Sequence, residues 1–259
     1  MATLKDSMGA FARFARMAAS LSIALAIACA APASNAGFGV PRFDPPEGPY
    51  RPAALSPAER YARLDRDSCE AELAHRSIPF VRVGSARGVL EPVRLDGALH
   101  GVTYHSELPV SQRGTSAIEI VDCRLVLALD DFAVQLASHD VVEVVHYSMY
   151  RPPSIHWPTE KTASRHPGGL AIDAAKFVKR DGTKLVVERD FHGRIGAKTC
   201  GPGTGPQPAT PDALELRKIV CDAAGAKLFN VALTPDFNWP HRNHFHLEVT
   251  ANTKWFYLH

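Results

Sequence analysis

The stretch SRHPGGLAID, residues 164–173, sets His166 and Asp173 seven positions apart across Pro167-Gly168-Gly169. Side chains of a strand alternate between its two faces, so an uninterrupted strand would send these two residues to opposite sides. Proline has no N–H to give to a ladder, and glycine reaches backbone conformations closed to other residues, so Pro-Gly-Gly breaks the alternation. The stretch therefore reads as a turn entering a buried strand, with His166 and Asp173 able to face one point. The plainer alternative is a satisfied core or surface histidine beside an ordinary turn.

A second cluster, HRNHFH at 241–246, changes the weight of the first. His244 and His246 are two apart and share a strand face; His241 has the opposite parity and joins them only if Pro240 places it in a loop. Alone, the cluster also fits a histidine-rich surface. Together the two stretches offer His166, Asp173 and His246 as ligands. Two imidazoles and one carboxylate suit Zn2+ with a fourth position left open, the arrangement of a catalytic rather than a closed structural site. Such an ion makes water acidic and polarises a carbonyl, which points to amide hydrolysis.

Around these stretches the chain alternates short strands and helices. Ser56-Pro57-Ala58-Glu59 combines an N-cap, a first-turn proline and a capping-box glutamate, predicting a helix to about Ala74. Strands are expected at IPFVRV (78–83), near Val89 and near Val102, then a helix from about Asp122 to Ser138 whose apolar period is imperfect. VVEVVHYSMYR reads as a central strand ending at Arg151, and the segment 171–191 as two strand-like runs turning at Asp181-Gly182. Residues 191–210 form a long loop, Thr210-Pro211 opens a helix ending near Gly225, and LFNVAL and HFHLEV are the last strands. His105 and His192 are assigned to exposed loops without partners. The expected fold is α+β: one domain, 56–259, with a central, mainly antiparallel sheet and flanking helices.

Residues 1–36 carry Lys5, Arg13 and Arg16 ahead of an apolar run from Met17 to Ala31, with small residues at Ser34-Asn35-Ala36. That is the pattern of a secretory signal peptide, too short and alanine-rich for a comfortable membrane span. Cys29 leaves open a lipid anchor. Residues 37–55 form a proline-rich linker. Without residues 1–36 the chain holds 26 basic and 26 acidic residues, which gives no reason to expect nucleic acid as a partner. Four cysteines then remain, Cys69, Cys123, Cys200 and Cys221, an even number that favours disulfides in an exported protein. Of three pairings, Cys69 with Cys123 and Cys200 with Cys221 close the shorter loops. Cysteines so used argue against a Cys-His protease. The prolines are not arranged in repeats and 46% of the chain is hydrophobic, which excludes a plant-type structural extensin.

SRHPGGLAID resembles the S-x-H-x(2)-G-x-A-x-D signature of the LAS zinc metallopeptidases, the group of D-alanyl-D-alanine carboxypeptidases, D-Ala-D-Ala dipeptidases and the penicillin-insensitive murein endopeptidase. HRNHFH resembles their second motif. The wider set HYSMYR, SRHPGGLAIDAAKF, RDG and NWPHRNHFHLEV is similar to the bacterial extensin-like C-terminal family over roughly residues 56–250. The resemblance implies an LAS metallopeptidase-like fold with His166, Asp173 and His246 holding zinc. It implies His244 as general base, His241 as the additional histidine of the endopeptidase branch, Arg151 as stabiliser of an oxyanion or a substrate carboxylate, and Ser164 as a substrate-orienting residue.

One position departs from the pattern. Many members carry an acid three residues before the last ligand, and here Asn243 stands there. An amide cannot take a proton from water, so the base must be a histidine or catalysis has been lost. Two functions follow as expectations. One is a periplasmic or secreted zinc metallopeptidase acting on peptidoglycan peptides, more an endopeptidase than a carboxypeptidase; the other is a non-catalytic zinc-containing wall-binding module. The sequence does not give the oligomeric state.

Overall fold

The computed structural model describes residues 54–259. The expected signal peptide, Cys29 and all but the last two residues of the 37–55 linker lie outside the described residues.

The capping box forms as the sequence predicts: Ser56 Oγ accepts from the Glu59 N–H at 3.3 Å and the Glu59 carboxylate accepts from the Ser56 N–H at 3.0 Å. The helix does not run on to Ala74. It stops as α1 (Pro57–Tyr61), and Asp65, whose side chain accepts from the Ser68 N–H, caps a separate α2 (Arg66–His75). Asp65 supplies a second start signal inside what reads as one helix, and the turn between lets Tyr61 and Leu73 both reach the interior. Three strands follow, β1 (Phe80–Arg82), β2 (Pro92–Leu95) and β3 (Thr103–Ser106), then the short helix α3 (Val110–Arg113) and β4 (Val121–Asp122). The expected strand near Val89 is a turn leading into β2; the strand near Val102 is present as β3.

Helix α4 (Cys123–Ala137), capped by Asp122, explains its own imperfect period: 11 of its 15 residues are buried, because α1, α2, α6 (Pro211–Gly225) and the sheet surround it. A helix covered on several sides shows no single apolar stripe. α6 starts at the Thr210 cap and ends at Gly225, as the sequence predicts.

The main sheet adds β5 (Val141–His146), β6 (Ala171–Lys179), β7 (Lys184–Val186), β8 (Val231–Leu233), β9 (Phe245–Glu248) and β10 (Tyr257–Leu258), in the order β10-β8-β9-β6-β5-β3, with β7 also paired to β6. Pairings are antiparallel except β3 with β5 and β10 with β8, and β1, β2 and β4 make a separate small sheet. The β6–β7 hairpin turns at Asp181-Gly182, but its second run is short and passes into α5 (Val187–Asp190). β5 leaves the ladder at His146, not Arg151, where a bulge shifts its register against β6. Beyond it the chain bonds irregularly: the Tyr147 N–H to the Asp173 carbonyl and the Arg151 N–H to the His166 carbonyl. His105 lies on β3, half-buried with Nε2 3.2 Å from Glu143, and His192 is also half-buried; neither is a solvent-exposed loop residue. Both expected disulfides are formed, Cys69–Cys123 and Cys200–Cys221.

A buried polar strut lies beneath the strand end. Glu119 is 3.1 Å from His146 Nε2 and accepts from the Ser106 N–H at 2.9 Å, while its neighbour Ile118 accepts from the Met149 N–H. Burial alone would raise the Glu119 carboxyl; the His146 bond and charge and the Ser106 donors outweigh it and bring the pKa to about 2, from 4.5. A carboxylate whose pKa is depressed on folding stabilises the fold above its unfolded pKa and loses that contribution as pH falls through the folded one. Glu119→Gln should therefore be less stable at pH 7 by about 2 kcal/mol, with the gap to the native chain shrinking between pH 4.5 and 2, measured by urea denaturation across that range.

Candidate metal centre

The Pro-Gly-Gly break is realised as a 3-10 turn, His166–Gly168, entered by Arg165 at φ 54° and left by Gly169 at φ 64°. A Cβ on Gly168 would stand 2.2 Å from the Ala163 carbonyl oxygen, and one on Gly169 would stand 2.8 Å from the Asp122 nitrogen. Both positions need glycine, the second for its left-handed backbone as well. Asp173 then sits on β6 directly opposite His246 on β9, a cross-strand pair.

The three side chains converge. Asp173 Oδ1 lies 3.0 Å from His166 Nε2 and 3.0 Å from His246 Nδ1, and the two nitrogens are 3.2 Å apart. All three residues are buried. The outer nitrogen of each ring is already engaged: His166 Nδ1–H donates to the Met149 carbonyl at 3.2 Å, and His246 Nε2–H to Glu248 at 3.3 Å. These bonds fix the tautomers so that the inner nitrogens present lone pairs toward a carboxylate oxygen. One proton on His246 can serve part of this set, whereas a cation serves all of it. Tetrahedral zinc, with bonds near 2.0–2.1 Å, places its ligands about 3.3 Å apart, so the donor set fits.

Charge balance agrees with this chemistry. Burial depresses the His166 pKa, offset only in part by Asp173, which keeps the ring neutral. Burial would raise Asp173, but its bonds to His166, His244 and His246 hold it far below the usual carboxylate range. Burial opposes the charged form of His246, but Asp173 and Glu248 raise its pKa, so metal entry there competes with a proton.

The other predicted residues gather unequally. His244 Nε2 is 3.2 Å from Asp173 Oδ1, and its Nδ1 is 2.9 Å from Asn243 Oδ1. His241, in the 3-10 turn Trp239–His241 that Pro240 helps to set, donates Nδ1–H to Asn238 at 2.6 Å. Its Nε2 is left as an acceptor, and burial beside His244 and His246 lowers its pKa to about 4. Arg151 Nη2 reaches Asp173 Oδ2 at 3.2 Å while its side chain is 56% exposed. Ser164 does not join them: it is exposed, gives its carbonyl to the Gly168 N–H and does not line the groove.

That groove, about 810 Å³, is lined by the cluster together with Arg151, Arg165, Leu233, Phe237, Trp255 and Tyr257. Sequence reasoning missed Glu248, Asn238 and the β10 wall. The His-x-Glu spacing of 246–248 placed Glu248 on the ligand's strand face, a signal that was present. The Met149 carbonyl had none.

The chain matches the extensin-like protein C-terminus family over residues 67–257. It is a member of that family. No match was found among curated proteins.

Removing the carboxylate that orients His246 tests the site without touching a ligand. Glu248→Ala should fold and weaken zinc binding by about 10–100-fold in competition with a chromogenic chelator.

Proposed function

We propose that this family member is an exported, zinc-dependent amidohydrolase that cleaves stem-peptide or cross-link amides of peptidoglycan, with endopeptidase action favoured over removal of a terminal D-alanine. The observation that carries it is the convergence of three ligand atoms of His166, Asp173 and His246 at 3.0–3.2 Å beneath a groove that also holds two further histidines. The likeness of both motifs to the LAS metallopeptidases supports the same reading, and the signal-like residues 1–36 support export to the periplasm or beyond.

When bound, zinc supplies Lewis acidity, which lowers the pKa of water and polarises an amide carbonyl. The chain's own groups do the rest. His244 Nε2 faces the cluster and takes the proton from the attacking water, then returns it to the amine as the C–N bond breaks. His241, neutral through its depressed pKa, packs against His244 with ring centroids 5.3 Å apart and limits its orientation. Arg151, anchored on Asp173, turns its remaining N–H donors to the carbonyl oxygen as charge grows there, or to a substrate carboxylate. Leu233 and Phe237 line the groove and keep water from part of its wall.

A second reading, a non-catalytic zinc-containing wall-binding module, draws on Asn243, whose amide cannot replace an acidic base. Digestion of purified sacculi separates the two. The hydrolase releases new muropeptides that disappear with chelator and return with zinc; none on any cross-link type, from zinc-loaded protein, overturns it.

The division of roles has its own test. Asp173→Ala should lose metal and some stability, whereas His244→Ala should keep metal and lose about 100-fold or more in turnover. Equal metal loss in both variants, measured by elemental analysis, would contradict it.

A further inference from the structure

A second cavity, about 670 Å³, lies in the long loop that follows α5 and shares no lining residue with the metal groove. Its walls carry His192, Arg194, Lys198 and Arg217, with Gln207 and the glycine-containing turn 202–205. Among the described residues no acidic side chain lines it. The carboxylate bonded to its walls, Asp236, is already spent: Oδ1 accepts from the Arg194 N–H at 2.7 Å, and Oδ2 from Arg217 Nη1 at 3.0 Å and Thr199 Oγ1 at 3.1 Å.

Among the described residues, the side chains of His192, Arg194 and Lys198 have no hydrogen-bond or ion-pair partner, unlike Arg76, Arg82, Arg124 and Arg189, each of which meets a carboxylate. Arg217 is 7% exposed, stacks on Phe191 at 4.4 Å and buries an Nε–H that has no acceptor. A concave wall with unpaired cations, an unmet buried donor and no acid is a complement to negative charge. The loop is also held in place: the Cys200–Cys221 disulfide ties it to α6, and the Gly196 N–H bonds the Asp236 carbonyl.

We propose that this cavity is an anion-binding site for a small multiply charged anion, a phosphate or a polycarboxylate. It is separate from the metal centre and does not depend on the hydrolase reading. Asp236, which carries the loop's contacts, stands one residue before Phe237 and two before Asn238, so the site adjoins the segment that orients His241.

The experiment titrates zinc-loaded mature protein by calorimetry at low ionic strength, with inorganic phosphate in one arm and tricarballylate in the other. Saturable one-to-one binding of at least one anion is expected, weakened tenfold or more in the Arg194→Ala/Lys198→Ala double variant and by added salt. The tighter arm tells phosphate from polycarboxylate. Both substituted side chains are exposed and unpaired, so the double variant should melt as the native chain does. An Arg165→Ala variant, in the metal groove, should bind as the native protein does. The proposal is overturned if neither anion binds at millimolar concentration, if the double variant binds as tightly as the native chain, or if affinity falls in Arg165→Ala instead.

Discussion

Asp173 stands opposite His246 across the β6–β9 ladder, and His166 is brought to the same carboxylate oxygen by the turn that opens β6, so three ligand atoms meet within 3.2 Å in the interior. Such a meeting is costly unless it is filled, because buried acceptors without donors forgo the water they left. Much of the surrounding fold can be understood as its support. Gly168 and Gly169 let the turn lie against Ala163 and Asp122; Asp122 also caps α4, and the Gly169 carbonyl accepts from its N–H. Met149, held by Ile118 on one side, fixes His166 with its carbonyl on the other.

The outer contacts of the ligands are as specific as the inner ones. His166 and His246 use opposite ring nitrogens toward the centre, and each choice is dictated by a different partner, a backbone carbonyl for one and Glu248 for the other. The flanking histidines differ in kind. His241 is bonded to Asn238 and kept neutral by burial, whereas His244 lies against Asp173 with Tyr147 edge-on to its ring at 5.8 Å. Asn243, in the position where related motifs carry an acid, meets His244 Nδ1, so the residue that departs from the pattern touches the histidine proposed as the base.

What could be read from the sequence was what rests on local stereochemistry. The Ser56 capping box, the Thr210 cap, the Asp181-Gly182 hairpin and the parity break at Pro-Gly-Gly are each decided by a few neighbouring residues, and each is present. The candidate ligands were offered by the break at Pro-Gly-Gly and by the shared face of His244 and His246, but parity does not choose between those two histidines. The helix break before Asp65 was hidden because a cap inside an apolar-periodic run looks like a surface residue. The end of β5 at His146 depends on a bulge against a strand 25 or more residues away. Trp255 and Tyr257 joined the groove only through parallel pairing of β10 with β8, which no local pattern announces.

The central claim is that these three side chains form an open zinc site, and X-ray absorption spectroscopy of the zinc-loaded protein tests it most directly. The predicted spectrum is that of one four-coordinate zinc per chain, with two imidazoles and two further oxygen ligands at about 2.0–2.1 Å and no sulfur. Zinc that binds through sulfur, or a chain that retains no zinc while fully folded, would contradict it.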